Sequence, residues 1–172
     1  TKPFFQMIYN LKQKLLTFSV ILGITSLFAQ SSDIVFSGVF GGTVFTDDGV
    51  YTMPSGSEPW AGFANEDVSI YPLIFGEGGS IIFTGSTDGA SADVYFRFEK
   101  NPYPDTEPSF STSSVTLGSE SSEYTIEIPS QGGNTFSSFL MYITVSDVAV
   151  TLSNVVVNSS DSVSYTHLTL PT

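Results

Sequence analysis

The stretch that decides the fold runs from residue 93 to residue 103 and reads DVYFRFEKNPY. Its apolar residues occupy every second position, at Val94, Phe96 and Phe98. The residues that alternate with them are Tyr95, Arg97 and Glu99. A period of two is the pattern of a β-strand with one buried face. We therefore expect a strand whose phenylalanines enter the core and whose polar residues lie on the opposite face.

The chain on both sides of this stretch also has the composition of strands and turns. Ser, Thr, Gly, Val and Phe dominate it, and no segment after residue 30 combines helical spacing with helix-forming residues. These patterns predict an all-β fold, a two-sheet β-sandwich or jelly roll of about nine or ten strands. The predicted strands are residues 33–40, 43–45, 50–53, 67–75, 80–86, 93–100, 113–118, 123–129, 136–145 and 149–158. Loops rich in proline are predicted at residues 54–66 and 101–108.

The first thirty residues have the pattern of a secretory signal peptide. A basic segment follows Met7, an apolar run occupies residues 15–28, and small residues follow it. The apolar run is shorter than the ~20 residues that a bilayer-spanning helix needs. An uncleaved membrane anchor is the alternative. We predict a signal peptide at residues 1–30, in which residues 1–6 are translated upstream sequence, and a secreted or cell-surface protein without a membrane segment after cleavage.

The last ten residues, VSYTHLTLPT, resemble the translation of a sequencing-library adapter. The alternative is a native polar tail. In the adapter interpretation residues 162–172 are non-native, so His167, the only histidine, has no role. One domain is then predicted at residues 31–161, in a fragment whose gene continues beyond it into a catalytic domain.

The predicted domain is strongly acidic. All seventeen Asp and Glu residues lie in it, and its only basic residues are Arg97 and Lys100. Such a surface repels nucleic acids and anionic lipids, so neither is an expected partner. Acidic polysaccharides are poor ligands for the same reason, unless calcium bridges them, whereas neutral sugars remain open. The chain has no cysteine, so its stability comes from packing or from a metal and not from disulfides.

Several segments of the second half resemble carbohydrate-binding modules of the family 4/9 type, which are galactose-binding-like jelly rolls on secreted polysaccharide-degrading enzymes. The matching segments are residues 79–85, 92–98, 123–128, 138–145 and 150–157. Three longer segments resemble accessory modules of marine bacterial laminarinase-type proteins. They read EPWAGFANEDVSIYP, VYFRFEKNPYPDTEPSF and QGGNTFSSFL. The resemblance covers nearly all of residues 33–158. It implies a module that docks an appended glycoside hydrolase onto a neutral polysaccharide, with a β-glucan such as laminarin favoured.

Sugar recognition needs flat aromatic surfaces and polar groups in fixed positions. Trp60 and Tyr103 lie in predicted loops, where each either stacks on a sugar or plugs one end of the sandwich. Arg97 either hydrogen-bonds two adjacent sugar hydroxyls through its planar fork or only neutralises an acid such as Glu99. The candidate ligand-binding residues are Trp60, Tyr95, Arg97, Glu99, Tyr103, Gln131 and Asn134.

Acidic residues in loops and at strand ends are candidates for a structural calcium ion, because Ca²⁺ prefers oxygen ligands. These weak candidates are Asp33, Asp47, Asp48, Glu66 and Asp67. The resemblance implies a calcium-holding aspartate before Asn-Val in the last strand, but this chain has Ser153 there. The chain therefore departs from the resemblance at the usual calcium site, and a solvated acidic surface is the alternative for each cluster.

No pattern of catalytic residues accompanies these features. The domain has no His or Cys and no Gly-x-Ser-x-Gly elbow, so nucleophilic triads are excluded. Glycosidases need only two carboxylates, but a pair drawn from seventeen carries almost no information. We expect a non-catalytic sugar-binding module. The alternative is a structural or adhesive extracellular β-sandwich, stiffened by calcium, that binds no sugar.

Overall fold

The structure is a computed structural model that describes residues 33–159. This part of the chain contains thirteen strands and one 3₁₀ helix. The strands are β1 (Gly38–Phe40), β2 (Val44–Thr46), β3 (Val50–Thr52), β4 (Gly62–Ala64), β5 (Leu73–Ile74), β6 (Gly79–Thr87), β7 (Ala92–Glu99), β8 (Ser109–Ser111), β9 (Val115–Leu117), β10 (Ser122–Ile128), β11 (Thr135–Phe136), β12 (Ser138–Ile143) and β13 (Ala149–Ser159). The predicted signal peptide and the predicted adapter tail lie outside the described residues. Within residues 33–159, no helix has the length and apolar character needed to cross a bilayer.

The strands form two main antiparallel sheets. The six-stranded sheet has the order β1-β4-β12-β7-β8, and β9 pairs with β7 beside β8. The five-stranded sheet has the order β10-β6-β13-β3-β2, and β11 pairs with β5 in a small third sheet. The predicted two-sheet β-sandwich of the jelly-roll type is therefore confirmed.

The core between the two sheets is largely aromatic. Val94, Phe96 and Phe98 of β7 are fully buried, as their alternation predicts. Phe98 stacks on Phe139 of β12 with ring centroids 4.5 Å apart, and Phe36 meets Phe139 edge to face at 4.9 Å. Each aromatic side chain buries roughly 150–250 Å². Packing of these rings is thus a main source of stability in a chain without disulfides.

The prediction of one strand over residues 67–75 is wrong. A 3₁₀ helix spans Val68–Ile70, and only Leu73–Ile74 of this segment pairs as a strand. The Asp67 carboxylate caps the helix by accepting a hydrogen bond of 2.9 Å from the backbone N–H of Ser69. A side chain that bonds to the backbone of a nearby residue in this way competes with the pairing of that backbone into a sheet.

One strand lies within a predicted loop, and another lies in a segment for which the sequence predicts no strand. β4 is an inner strand of the six-stranded sheet, although its segment follows a run of Pro and Gly. β8 begins directly after Pro108 and pairs Ser111 with Arg97. Conversely, the first predicted strand shortens to β1, and the predicted strand at residues 136–145 divides into β11 and β12.

Candidate functional site

Four aromatic rings run across the outer face of the six-stranded sheet, and we name them the aromatic strip. Its members are Trp60, Phe40, Tyr142 and Tyr95. Trp60 lies parallel to Phe40 with ring centroids 6.3 Å apart, Phe40 meets Tyr142 edge to face at 6.0 Å, and Tyr142 stacks on Tyr95 at 5.0 Å. The strip therefore crosses the sheet from the loop before β4, over β1 and β12, to β7.

Gly62 allows the middle of the strip to close. It pairs with Phe40 in the β1–β4 ladder. A Cβ at this position would lie 2.8 Å from Cζ of Phe40 and 2.8 Å from Cε1 of Tyr142. Real Cβ atoms do not tolerate such distances, so the rings of Phe40 and Tyr142 meet only because residue 62 has no side chain. The glycine that favoured a loop in the sequence is thus a packing residue of the site.

The loop that carries Trp60 is held by hydrogen bonds to the turn after β1. The backbone N–H of Glu58 donates to the carbonyl oxygen of Gly41 at 2.8 Å, and that of Ala61 donates to Glu58 at 2.9 Å. The buried hydroxyl of Thr43 lies 2.8 Å from the carbonyl oxygen of Gly62 and donates to it. Trp60 remains 60% exposed, so it does not plug the end of the sandwich but presents its outer ring face to solvent.

Beside the strip lies a group of polar residues around Arg97, which we name the arginine patch. Its members are Arg97, Glu99, Glu107, Ser109 and Ser111. Nε of Arg97 donates to Oε1 of Glu99 at 2.8 Å, and Nη2 donates to Oγ of Ser109 at 2.7 Å. Nη2 also lies 3.5 Å from Oε1 of Glu107. Nη1 makes only a long contact of 3.4 Å with Oγ of Ser111. One edge of the guanidinium is therefore fixed, and the Nη1 group is the edge that could meet a ligand.

The buried carboxylate of Glu99 holds the Arg97 guanidinium in position. Glu99 is 7% exposed, and its Oε2 accepts a hydrogen bond of 3.3 Å from Oγ of Ser138. A buried carboxylate needs such partners, because an unpaired buried charge is costly. The structure thus places Arg97 in an ion pair, as one of the two sequence interpretations expected, and still leaves part of the guanidinium open.

Burial raises the pKa of Tyr142 to about 12, and the negative charge of Glu99 adds to the effect. Tyr142 therefore keeps its proton throughout the physiological range, and its hydroxyl can donate a hydrogen bond there. Since Tyr95 covers one face of the Tyr142 ring, this pair offers ring edges and hydroxyl groups to a ligand more than flat faces.

The structure brings four of the predicted ligand-binding residues onto one surface, namely Trp60, Tyr95, Arg97 and Glu99. Tyr103 lies on the loop after β7 and is 89% exposed. Gln131 and Asn134 form a turn, in which the backbone N–H of Asn134 donates to the carbonyl oxygen of Gln131 at 3.3 Å. The side-chain amide of Gln131 donates to the carbonyl oxygen of Pro129 at 2.9 Å, and sugar binding by Gln131 and Asn134 stays a prediction.

Sequence reasoning missed four residues that complete this surface, Phe40, Gly62, Ser109 and Ser111, and it did not select Tyr142 as a ligand-binding residue. Tyr142 lies between Met141 and Ile143, which are buried in β12, and this alternation was a sequence signal that the Tyr142 side chain faces outward. Its place opposite Tyr95 depends on the register between β7 and β12, which are far apart in the sequence.

The predicted calcium ligands are not brought together. Glu66 accepts a hydrogen bond from Ser37 at 2.8 Å, Asp67 caps the 3₁₀ helix, and Asp48 accepts from Thr46. In the part of the chain that the structure describes, no three Asp, Glu, His or Cys side chains form a group that could hold a metal. Calcium binding therefore stays a prediction, and the arrangement of Asp33, Asp47 and the other three candidates adds nothing to support it.

No protein-family model and no curated protein matches the chain. Among solved structures, it is similar to a family 4 carbohydrate-binding module, with a TM-score of 0.50 and 12% identity over 74% of this chain and 94% of that one. It is also similar to a variant family 29 module complexed with mannohexaose, with a TM-score of 0.50 and 14% identity over 74% and 91% of the two chains.

A third similar structure is the xylan-binding family 22 module from Paenibacillus barcinonensis, with a TM-score of 0.49 and 15% identity over 74% and 92% of the two chains. At such low identity these similarities concern the fold and carry no residue roles. The described part of the chain has the β-sandwich fold that is found in carbohydrate-binding modules.

Proposed function

We propose that this protein is a non-catalytic carbohydrate-binding module that takes a neutral polysaccharide on the outer face of its six-stranded sheet. The observation that carries the proposal is the aromatic strip, with the exposed face of Trp60 at one end and the arginine patch beside the other. Apolar ring faces stack on the C–H faces of pyranoses, and the adjacent hydrogen-bonding groups select their hydroxyls.

The orientation of the rings favours a single glycan chain over a flat crystalline surface. Phe40 lies at 77° to Tyr142, while Trp60 is within 6° of parallel to Phe40. The strip therefore has no common plane on which a crystal face could lie. A separate chain can instead place one sugar face on Trp60 and direct hydroxyls toward the Tyr142 and Tyr95 edges and toward Nη1 of Arg97.

Charge favours a neutral ligand. The seventeen acidic residues face only Arg97 and Lys100 as basic partners within the predicted domain, so a polyanionic glycan would meet repulsion over most of the surface. A β-glucan such as laminarin is the ligand that we propose. In the whole protein the module would be secreted and would hold an appended glycoside hydrolase near this polysaccharide.

The test is electrophoresis of the folded protein through gels with and without laminarin. We expect the glucan to retard the wild-type protein, and Trp60→Ala to weaken binding at least roughly tenfold, because aromatic anchors are often worth ~2 kcal/mol or more. Thr125→Ala, an exposed substitution on the other sheet, is the control and should bind as the wild type does. Equal mobility of the wild type with and without laminarin would contradict the proposal. A melting temperature that rises with calcium and not with sugar would favour the structural alternative.

A further inference from the structure

A polar cavity that is open to solvent lies at the end of β7, apart from the aromatic strip. It has a volume of about 390 Å³ and is lined by Lys100, Asn101, Pro104, Asp105, Thr106 and Glu107. We name it the loop cavity. Ligand pockets in proteins span roughly 300–1,000 Å³, so this cavity is of a size for a small group such as one sugar ring.

The loop around the cavity is closed by its own hydrogen bonds. The backbone N–H of Lys100 donates to the carbonyl oxygens of Thr106 at 3.0 Å and Pro108 at 3.1 Å. The Glu107 carboxylate accepts from the backbone N–H of Ser109 at 2.9 Å and from its hydroxyl at 2.8 Å. These hydrogen bonds fix the shape of the loop around the cavity.

The lining selects one chemical class of ligand by exclusion. Asp105 and Glu107 disfavour an anion, while the Lys100 ammonium disfavours a metal ion. Within residues 33–159, Lys100 has no ion pair that would neutralise it. The lining combines donors with acceptors: the ammonium, the Asn101 amide and the Thr106 hydroxyl donate, and the two carboxylates accept. Hydroxyl groups of a neutral sugar both donate and accept, so they match this mixture.

The cavity shares one residue with the arginine patch, because Glu107 lines the cavity and also contacts Arg97 and Ser109. β7 leads from Tyr95 past Arg97 to the loop. At ~3.3 Å per strand residue, Tyr95 and Lys100 are about 17 Å apart along the strand. A disaccharide cannot reach from the strip to the cavity, whereas a longer oligosaccharide can.

We infer that the loop cavity is a second subsite for a neutral sugar residue, which a glycan chain reaches only when it is long enough to extend along β7 from the aromatic strip. Tyr103, the chain neighbour of Pro104 in the same loop, is 89% exposed. The inference rests on the proposed function, because it takes the chain bound at the strip as the ligand that continues into the cavity.

The test measures affinities for laminari-oligosaccharides of increasing length by calorimetry, in the wild type and in Lys100→Met. This substitution approximately keeps the length of the side chain and removes its donors. We expect Lys100→Met to leave the affinity for disaccharides unchanged and to lower the affinity for the longest oligosaccharides roughly tenfold, as the loss of hydrogen bonds from a charged group would. Thr125→Met, on the outer face of the other sheet, is the control.

Amide chemical shifts locate binding and separate the two possible failures. Shifts at Trp60 with every oligosaccharide, together with shifts at residues 100–107 with long ones only, support the inference. Shifts at Trp60 alone, with equal affinities in Lys100→Met and wild type at every length, overturn the second subsite and leave the proposed function intact. No shifts and no binding at either place overturn both.

Discussion

The two sheets cover the same core but present different outer faces. The outward positions of the six-stranded sheet carry Tyr95, Tyr142 and Phe40 together with Arg97. The outward positions of the five-stranded sheet carry mostly small polar, aliphatic and acidic residues. Those of its long strands include Ser80, Ile82, Thr84, Ser86, Glu123, Thr125, Glu127, Thr151 and Ser153. None of the outward positions that the structure describes on these long strands carries an aromatic ring.

Solvent exposure alone therefore does not explain why the outer face of the six-stranded sheet, the first face, carries aromatic rings and an arginine. A sheet of this fold needs only small polar residues on its outside, as the second face shows. Rings stacked on the first face, and an arginine supported by a buried glutamate, add no packing to the core between the sheets. Their presence on one face therefore favours a binding role for that face, and the following substitutions test the contrast.

Removal of the arginine should have the largest effect. Arg97→Ala leaves the carboxylate of Glu99 buried without its ion partner, and we expect the free energy of unfolding to fall by about 2 kcal/mol in urea denaturation. Glucan affinity should fall with it. The double variant Arg97→Ala with Glu99→Gln removes the buried charge, so it should recover part of the stability but none of the affinity. Recovery of both would mean that Arg97 has only a structural role.

A methyl group at residue 62 should separate the rings with a smaller effect on folding. Gly62→Ala places a Cβ against Phe40 and Tyr142, and we expect overpacking to cost about 1 kcal/mol of stability, partly offset by the lower entropy of alanine in the unfolded chain. Laminarin affinity should fall roughly fivefold, which corresponds to about 1 kcal/mol. Emission from Trp60, the only tryptophan, should change as well. Gly89→Ala is the matched control, since no atom lies within 4 Å of the position that a Cβ would take there. Equal affinities in the two alanine variants would refute the role of Gly62.

The first face should also respond to alkaline pH. Tyr142 has a pKa of about 12 in the folded protein and near 10.0 when it is free, so the folded state retains a proton that the unfolded state has lost. The free energy of unfolding therefore has its full value below pH 10 and decreases as the pH rises toward 12. The free energy of unfolding of the Tyr142→Phe variant should decrease less over this interval, as measured by denaturant titrations. Tyr71, whose pKa burial also raises to about 12, and Tyr51, whose pKa burial also raises, should cause the remaining decrease. An unchanged slope in Tyr142→Phe would contradict the prediction.

Substitutions on the second face should have the smallest effect. Thr84→Ala and Glu123→Gln alter outward positions of β6 and β10, and surface changes of this kind usually shift stability by less than ~0.5 kcal/mol. We expect laminarin to retard both variants as it does the wild type. A loss of binding as large as that expected for Trp60→Ala would move the site to the other sheet.

The longest strands of the fold were predictable from sequence because their alternation is local. β6, β7 and β13 each contain apolar residues at every second position over most of their length, and their predicted bounds differ from the observed ones by one or two residues. Short strands were not predictable in this way. β4 has only three residues, one of them Gly62, and its strand conformation depends on β1 and β12 on either side.

The candidate site was predictable only in part, for the same reason. Tyr95, Arg97 and Glu99 share a face of one strand, so their proximity follows from local geometry. The contacts Tyr95–Tyr142 and Phe40–Trp60 depend on strand register and on a loop conformation, which are long-range properties. Tyr103, Gln131 and Asn134 were selected by residue type within loops, and such a criterion does not say where a loop lies.

The hydrogen bonds that hold the Trp60 loop have a consequence for the thermodynamics of binding. Hydrogen bonds of Glu58, Ala61 and Thr43 fix the loop against the turn after β1. Ordering a flexible side chain at an interface costs about 0.5–1.5 kcal/mol of conformational entropy. Since the indole is already held parallel to Phe40, a sugar that stacks on it would avoid most of this cost. Weak sugar contacts could then give useful affinity, and in the proposed binding mode the rigidity of the loop would contribute to it.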